Sequence, residues 1–160
     1  MYAMFIRPAY IPIESPLVKN SLLTVTLLAS VSLAGCATPL NSMQQSELQG
    51  YRAKGLEVTE KHPGTGAALG ILPGGGSFYT RHYGLGAVNL LLWPISILWD
   101  PISGHDGAES INYYATKAHV NKKQSKEIDE LEEKLELKKI TMERYVFEKK
   151  KIEKKYSPDL

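Results

Sequence analysis

One cysteine, four histidines and a few serines and carboxylates are the residues of this 160-residue chain whose types suit them to chemistry. Cys36 is the most pointed of them. It closes the run Leu33-Ala34-Gly35-Cys36, after an uncharged stretch, 21–33, rich in leucine and valine. A thiolate is a strong nucleophile, and small residues just before it suit a narrow peptidase groove. A single cysteine excludes an internal disulfide framework and any multi-cysteine metal site. His62, His82, His105 and His119 form no i,i+4 pair, so no metal centre is expected. His105-Asp106 has the types of a base with its orienter, but the two are sequence neighbours in a glycine-flanked stretch that reads as a polar turn. Ser77, Ser103 and Ser110 lack a nucleophile context. Asp100 reads as an acid at a membrane edge or as a residue that ends a helix before Pro101. Gly64-x-Gly66-x-x-x-Gly70 is one residue off a dinucleotide fingerprint and follows no apolar strand. Pro73-Gly-Gly-Gly-Ser77 lacks the Lys-Ser/Thr ending of a phosphate loop. The expectation is a protein that is not an enzyme, with no catalytic residue, metal or cofactor.

The elements that position these residues are strongly segregated. Residues 121–160 hold 22 of the 36 charged side chains, whereas Arg81 is the one full charge between Gly64 and Trp99. Ten of the thirteen glycines fall in 64–107. One evenly mixed globule is therefore excluded. A formal net charge of +2 gives no concentrated basic excess, which argues against nucleic-acid binding.

Lys19-Asn20, the apolar run and the small residues before Cys36 are the parts of a secretory signal, too short for a comfortable span of about 20 residues. Leu33-Ala34-Gly35-Cys36 resembles the lipobox of bacterial lipoproteins. That resemblance implies a signal peptide over 1–35, cleavage before Cys36, and a diacylated thiol. Acyl chains at about 0.8 kcal/mol per buried methylene would hold the protein on a bilayer. Ala37 in place of aspartate favours the outer membrane, facing the periplasm; an embedded hairpin would instead retain it at the inner membrane. Pro8, Pro12, Pro16 and Glu14 do not suit a signal, so the true start is expected at Val18, read as methionine from an alternative start codon.

Residues 36–62 read as a lipidated cysteine and polar tether, with a short helix near 42–51. Residues 63–101 read as a glycine-rich apolar hairpin with two uncharged arms of seventeen residues, 64–80 and 83–99. As helices these would reach about 25 Å, the lower limit for a bilayer core. Pro73 and Gly74–Gly76 suggest the irregular tip of a half-span, and Pro94 a kink. Gly66 and Gly70 have small-xxx-small spacing, and with Gly74, Gly84 and Gly86 are candidate helix-packing positions. Phe78, Tyr79, Tyr83, Trp93 and Trp99 are candidate interface anchors. Gly70, Gly74, Phe78-Tyr79, Gly84, Gly86, Leu90-Leu91 and Trp99-Asp100 resemble the small two-helix membrane domain widespread in bacteria. This resemblance implies a membrane hairpin and carries no enzymatic activity with it.

Residues 102–123 read as a linker or short helix, and 124–157 as a charged helical module. Ile128, Leu131 and Leu135 make one apolar stripe, continued by Met142, Tyr145, Ile152 and Tyr156. Lys138 and Lys149 interrupt a continuous heptad. Thr141 is a good N-cap, and Ile140 is placed to staple onto Tyr145, so two short helices should join near 138–140. Leu131, Leu135, Ile140-Thr141, Glu143, Tyr145, Lys150 and Ile152 resemble the short C-terminal domain (SHOCT). That resemblance implies an interaction or oligomerisation element, with a second copy or another envelope protein as partner.

The sum is an all-α chain: signal and lipid anchor, glycine-rich apolar hairpin, and short charged C-terminal helix pair. The function expected is a membrane-anchored envelope lipoprotein with a structural, assembly or protein-interaction role. The alternative is a small membrane-perturbing or oligomeric channel-like hairpin protein.

Overall fold

The computed structural model describes residues 38–159, which belong to one unit, Ala37–Leu160. Cys36 and its lipobox-like neighbours Leu33, Ala34 and Gly35 lie outside the described residues, as does the expected start at Val18. The protein is all-α: among the described residues there are six α-helices, one 3-10 turn and no strand.

Helix α1 spans Ser42–Ala53. Its first amides are closed by a capping box, in which Asn41 Oδ1 accepts from Gln44 N at 2.9 Å and Gln44 Oε1 accepts from Asn41 N at 3.0 Å. It stops at Gly55, whose φ of +66° lets Leu56 N donate back to Tyr51 O at 2.9 Å. The supposed tether is thus largely built into the fold, since Leu48 and Tyr51 are buried.

The chain then runs back as an extended strap. Val58 N donates to Thr116 Oγ1, while Glu60 N and Lys61 N both donate to Asn112 Oδ1, each at 2.9 Å. Asn112 and Thr116 are buried yet fully used, because a strap without sheet partners still needs its amides satisfied.

The expected hairpin of two seventeen-residue arms is instead four short pieces: α2 (Pro63–Leu69), α3 (Gly75–Tyr79), α4 (Tyr83–Leu91) and a 3-10 turn (Ile95–Leu98). Proline and glycine set the breaks. Pro63 supplies the first residue of α2, Gly74 turns into α3 with φ +69°, and α4 ends before Pro94.

Helix α5 spans Asp100–Glu136, 37 residues, with Pro101 in its first turn. Residues 102–123 are therefore not a separate linker, and the first helix of the C-terminal pair is not short. No proline occurs between Pro101 and Pro158, and nothing else stops the helix until Lys138, at φ +55°, takes the left-handed position after it. Helix α6 (Met142–Tyr156) begins where Thr141 Oγ1 accepts from Arg144 N at 3.3 Å. It runs antiparallel to the end of α5: Tyr145 and Tyr156 donate to Glu132 and Glu127 at 2.9 and 2.7 Å.

The apolar core lies where α1 and the strap pack on α5 and α6. Leu40, Leu48 and Tyr113 form one cluster; Tyr51, Val120 and Tyr156, with Leu56 and Ile152, form the other.

Candidate functional site

Residues 63–104, the cap, pack by a different rule. No residue of the cap belongs to the buried apolar core. Of the seven buried polar or charged side chains among the described residues, five are here: Ser77, Thr80, Asn89, Ser96 and Asp100.

Asp100 is their centre. It does not end a helix, as one sequence expectation had it, but begins α5, and its side chain is fully buried. One carboxylate oxygen accepts from Gly76 N at 3.1 Å. The other accepts from Ser77 N at 3.2 Å, Ser77 Oγ at 2.5 Å and Asn89 Nδ2 at 2.7 Å. Asn89 Oδ1 in turn accepts from Trp99 Nε1 at 2.9 Å. The physical need is local. Gly74, the N-cap of α3, has no side chain, so the first amides of that helix lack a partner. Asp100 supplies it from 24 residues away. Charge-assisted hydrogen bonds and two helix N-termini offset the cost of burying a carboxylate. The α3, α4 and α5 segments are thereby tied at one atom pair.

Glycine makes the close approach available. A Cβ on Gly66 would strike the Gly104 backbone, and one on Gly70 the Pro101 backbone; one on Gly76 would strike the Asp100 carbonyl, 2.6 Å away. Gly104 faces Gly66 and Gly76, and Thr80 sits on Gly107. Gly66 and Gly70 therefore pack against α5 of their own chain. Gly74 holds the left-handed turn against Gly86, and Gly86 lies under the Phe78 ring. Gly84 has no neighbour within 4 Å of a Cβ, so the packing expected of it is not present.

Outside this polar knot the surface is apolar. Thirteen of the nineteen exposed large apolar side chains among the described residues lie between Ile71 and Ile102, including Leu91 at 83%, Leu98 at 73% and Trp93 at 52% exposure. Burying such a side chain gains about 1.5–3 kcal/mol. Thirteen left half in water therefore forgo about 10–20 kcal/mol, comparable with the typical net stability of about 5–15 kcal/mol. Large exposed apolar surface of this kind marks a site of contact with a membrane or a partner.

The expected anchors divide accordingly. Tyr83 and Trp93 are exposed and Phe78 partly so. Trp99 is half-buried and held by Asn89; Tyr79 sits at the cap's base, its hydroxyl accepting from His62 N at 2.9 Å with Lys61 Nζ 4.4 Å from its ring centre. Charge returns at that base: Arg81, at φ +66°, pairs with Glu60 at 3.5 Å. His82 Nδ1 lies 2.9 Å from Thr80 Oγ1, and burial holds the His82 imidazole below the usual histidine range. His105 and Asp106 meet at 3.2 Å on the second turn of α5, not in a turn between elements. Both are partly exposed, on a helical surface rather than in a cleft.

In the C-terminal module Leu131 is buried, and Leu135, Ile140, Tyr145 and Ile152 are half-buried, Ile152 against the Tyr51–Val120–Tyr156 cluster. Thr141 is the cap of α6. Between α1 and α5, Glu47 accepts from Tyr113 Oη at 2.7 Å and from Lys117 Nζ at 3.3 Å. The Tyr113 hydroxyl holds the Glu47 carboxyl below the usual carboxylate range, and the same two partners raise Lys117.

Sequence reasoning missed Ser77, Asn89 and Ser96 as an inward-facing set, and Gly104 and Gly107 as packing positions. The signals were present: isolated polar residues in an uncharged stretch, and small residues at Gly104, Gly107 and Ala108 on one helix face. Among the described residues no group of three His, Cys, Asp or Glu side chains is placed to hold a metal ion. Comparison with protein-family models, curated proteins and solved structures finds no match.

Proposed function

We propose that this chain is a cell-envelope lipoprotein with a structural or assembly role, held at a membrane by acyl chains on Cys36. Its cap lies against lipid, and the α5–α6 pair is directed to a second copy or another envelope protein. The observation that carries the reading is the inverted burial of residues 63–104, polar within and apolar without. In water that arrangement is costly, whereas in hydrocarbon it is the expected one, because lipid satisfies apolar surface and cannot satisfy polar groups. The bacterial lipoprotein resemblance at Leu33–Cys36 supplies the anchor, and Ala37 favours the outer membrane.

The channel-like alternative has less support. It needs Gly66 and Gly70 to pack one hairpin on another, and both are occupied by α5 of the same chain.

Metabolic labelling with palmitate, followed by fractionation of cells making the wild type or Cys36→Ala, tests the reading. Label on the wild type alone, in the membrane fraction, supports it. Mass spectrometry finding an unmodified thiol in a full-length cytosolic product overturns it.

A further inference from the structure

Resting on that lipoprotein reading, we infer that the cap is a single-leaflet insertion device, entering one leaflet of the bilayer without crossing to the other. Its elements are short. The longest, α4, has nine residues, a rise of about 13 Å, less than half a hydrocarbon core. The chain also comes back to one base from both ends and the middle. Gly66 meets Gly104, Gly70 meets Pro101, and Arg81, midway, pairs with Glu60. Apart from the buried Asp100, everything beyond that base is uncharged, while Glu60, Lys61, Arg81, His105 and Asp106 gather at it, so exposed charge and apolar surface divide at one level. That division matches a headgroup layer over acyl chains, and it specifies lipid rather than a protein partner as occupant.

The direction of α1 brings the N-terminal end of the described chain toward the cap. Gln44 touches Tyr114, Glu47 touches Lys117 and Tyr51 packs on Val120, so α1 runs along α5 away from the cap. Its first turn, at Leu40 against Tyr113, is therefore the end nearest the cap. Tyr113 is nine residues along α5 from Gly104, about 14 Å.

The two tryptophans of the chain, Trp93 and Trp99, are both in the cap and make the test direct. The acylated mature protein, beginning at Cys36, is added to preformed phosphatidylcholine and phosphatidylglycerol vesicles. Their lipids carry bromine high or low on the acyl chain, in the outer leaflet alone or in both leaflets. The inference predicts quenching by outer-leaflet bromine as deep as with both leaflets brominated, and stronger quenching from the shallow position. Trp93→Phe should lose most of it. Leu91→Asp, at a fully surface position, should reduce it while helicity by circular dichroism is unchanged. Deeper quenching when the inner leaflet is also brominated would show a span and overturn the inference. Vesicle-bound protein without quenching, with a dimer trapped by crosslinking at Leu91→Cys, would show a second copy as occupant and overturn it too. Failure to bind vesicles, with an unmodified thiol, would remove the lipoprotein reading itself.

Discussion

The cap and the body of this protein fold by opposite burial rules within one chain. In the body, Leu48, Tyr51, Val120 and Tyr156 are inside and lysines and glutamates outside. In the cap, Asp100, Asn89, Ser77 and Ser96 are inside and leucines, isoleucines and Trp93 outside. The body is held by apolar burial, whose strength depends on water. The cap is held by hydrogen bonds around one carboxylate and by glycine-only backbone contacts, which do not need water. Both use α5, whose first turns carry Asp100 and Gly104 and whose middle carries Tyr113 and Val120. A single helix therefore carries both patterns, polar side chains inside at one end and apolar ones inside along its middle.

The comparison is most severely strained by filling the glycine crossing. Gly66→Leu or Gly104→Leu forces backbones apart and should cost more than about 3 kcal/mol, the upper range of overpacking, in thermal unfolding in detergent. Gly84→Ala, which meets nothing, serves as the control. Next, Asp100→Leu strands the Gly76 and Ser77 amides and the Asn89 amide. A loss of about 3 kcal/mol is expected, at the high end for unsatisfied buried groups. In the body the matching lesion is apolar: Leu48→Ala should cost about 2–3 kcal/mol through cavity formation. The two losses should separate by solvent, with the cap lesion retaining its size in micelles.

A gain is expected at the α5–α6 turn. Lys138→Gly removes a side chain from a left-handed residue and should stabilise by about 0.5–1 kcal/mol in chemical denaturation. Smaller still is Leu91→Ser, which should leave unfolding within about 0.5 kcal/mol of wild type. Its effect should instead appear as weaker vesicle binding and better solubility.

The smallest effect sharpens the contrast by pH. In the body, Glu47, Glu57 and Glu127 are held below the usual carboxylate range by their Tyr113, Arg52 and Lys155 hydrogen bonds. Each contributes stability above the ordinary carboxylate pKa, and it is lost as pH falls through the depressed value. His82, at the cap's base, is depressed by burial. Between its folded value and the ordinary 6.5 the unfolded chain binds more protons, so stability falls on acidifying below that point. A pH series of unfolding midpoints should therefore show a weak decline below the histidine range, then a further one below the carboxylate range. His82→Asn should remove the first alone.

Much of the helical architecture is legible in the sequence, and for identifiable reasons. Thr141 with Ile140 marks the start of α6 because capping chemistry is local. The apolar stripe of Leu131 and Leu135 marks its partner. The arms of the cap were not legible as four pieces, because Pro73, Pro94 and the glycines permit breaks without fixing where they fall. The sequence suits Asp100 to a membrane-edge acid or a helix ending and does not reveal its buried role, because that role depends on Gly76 and Ser77, 24 and 23 residues upstream, and no local pattern encodes that pairing. The continuity of α5 was hidden by Gly104 and Gly107, which read as a loop and are instead the small residues over which the cap closes.

The central claim is that residues 71–102 face hydrocarbon while α6 faces water. Nitroxide labels at Leu91→Cys, Leu98→Cys and, in the body, Met142→Cys, on acylated protein in vesicles, test it by relaxation with oxygen and with a water-soluble nickel chelate. High oxygen and low nickel accessibility at positions 91 and 98, with the reverse at 142, is the result expected. Equal nickel accessibility at all three positions on vesicle-bound protein would contradict the account.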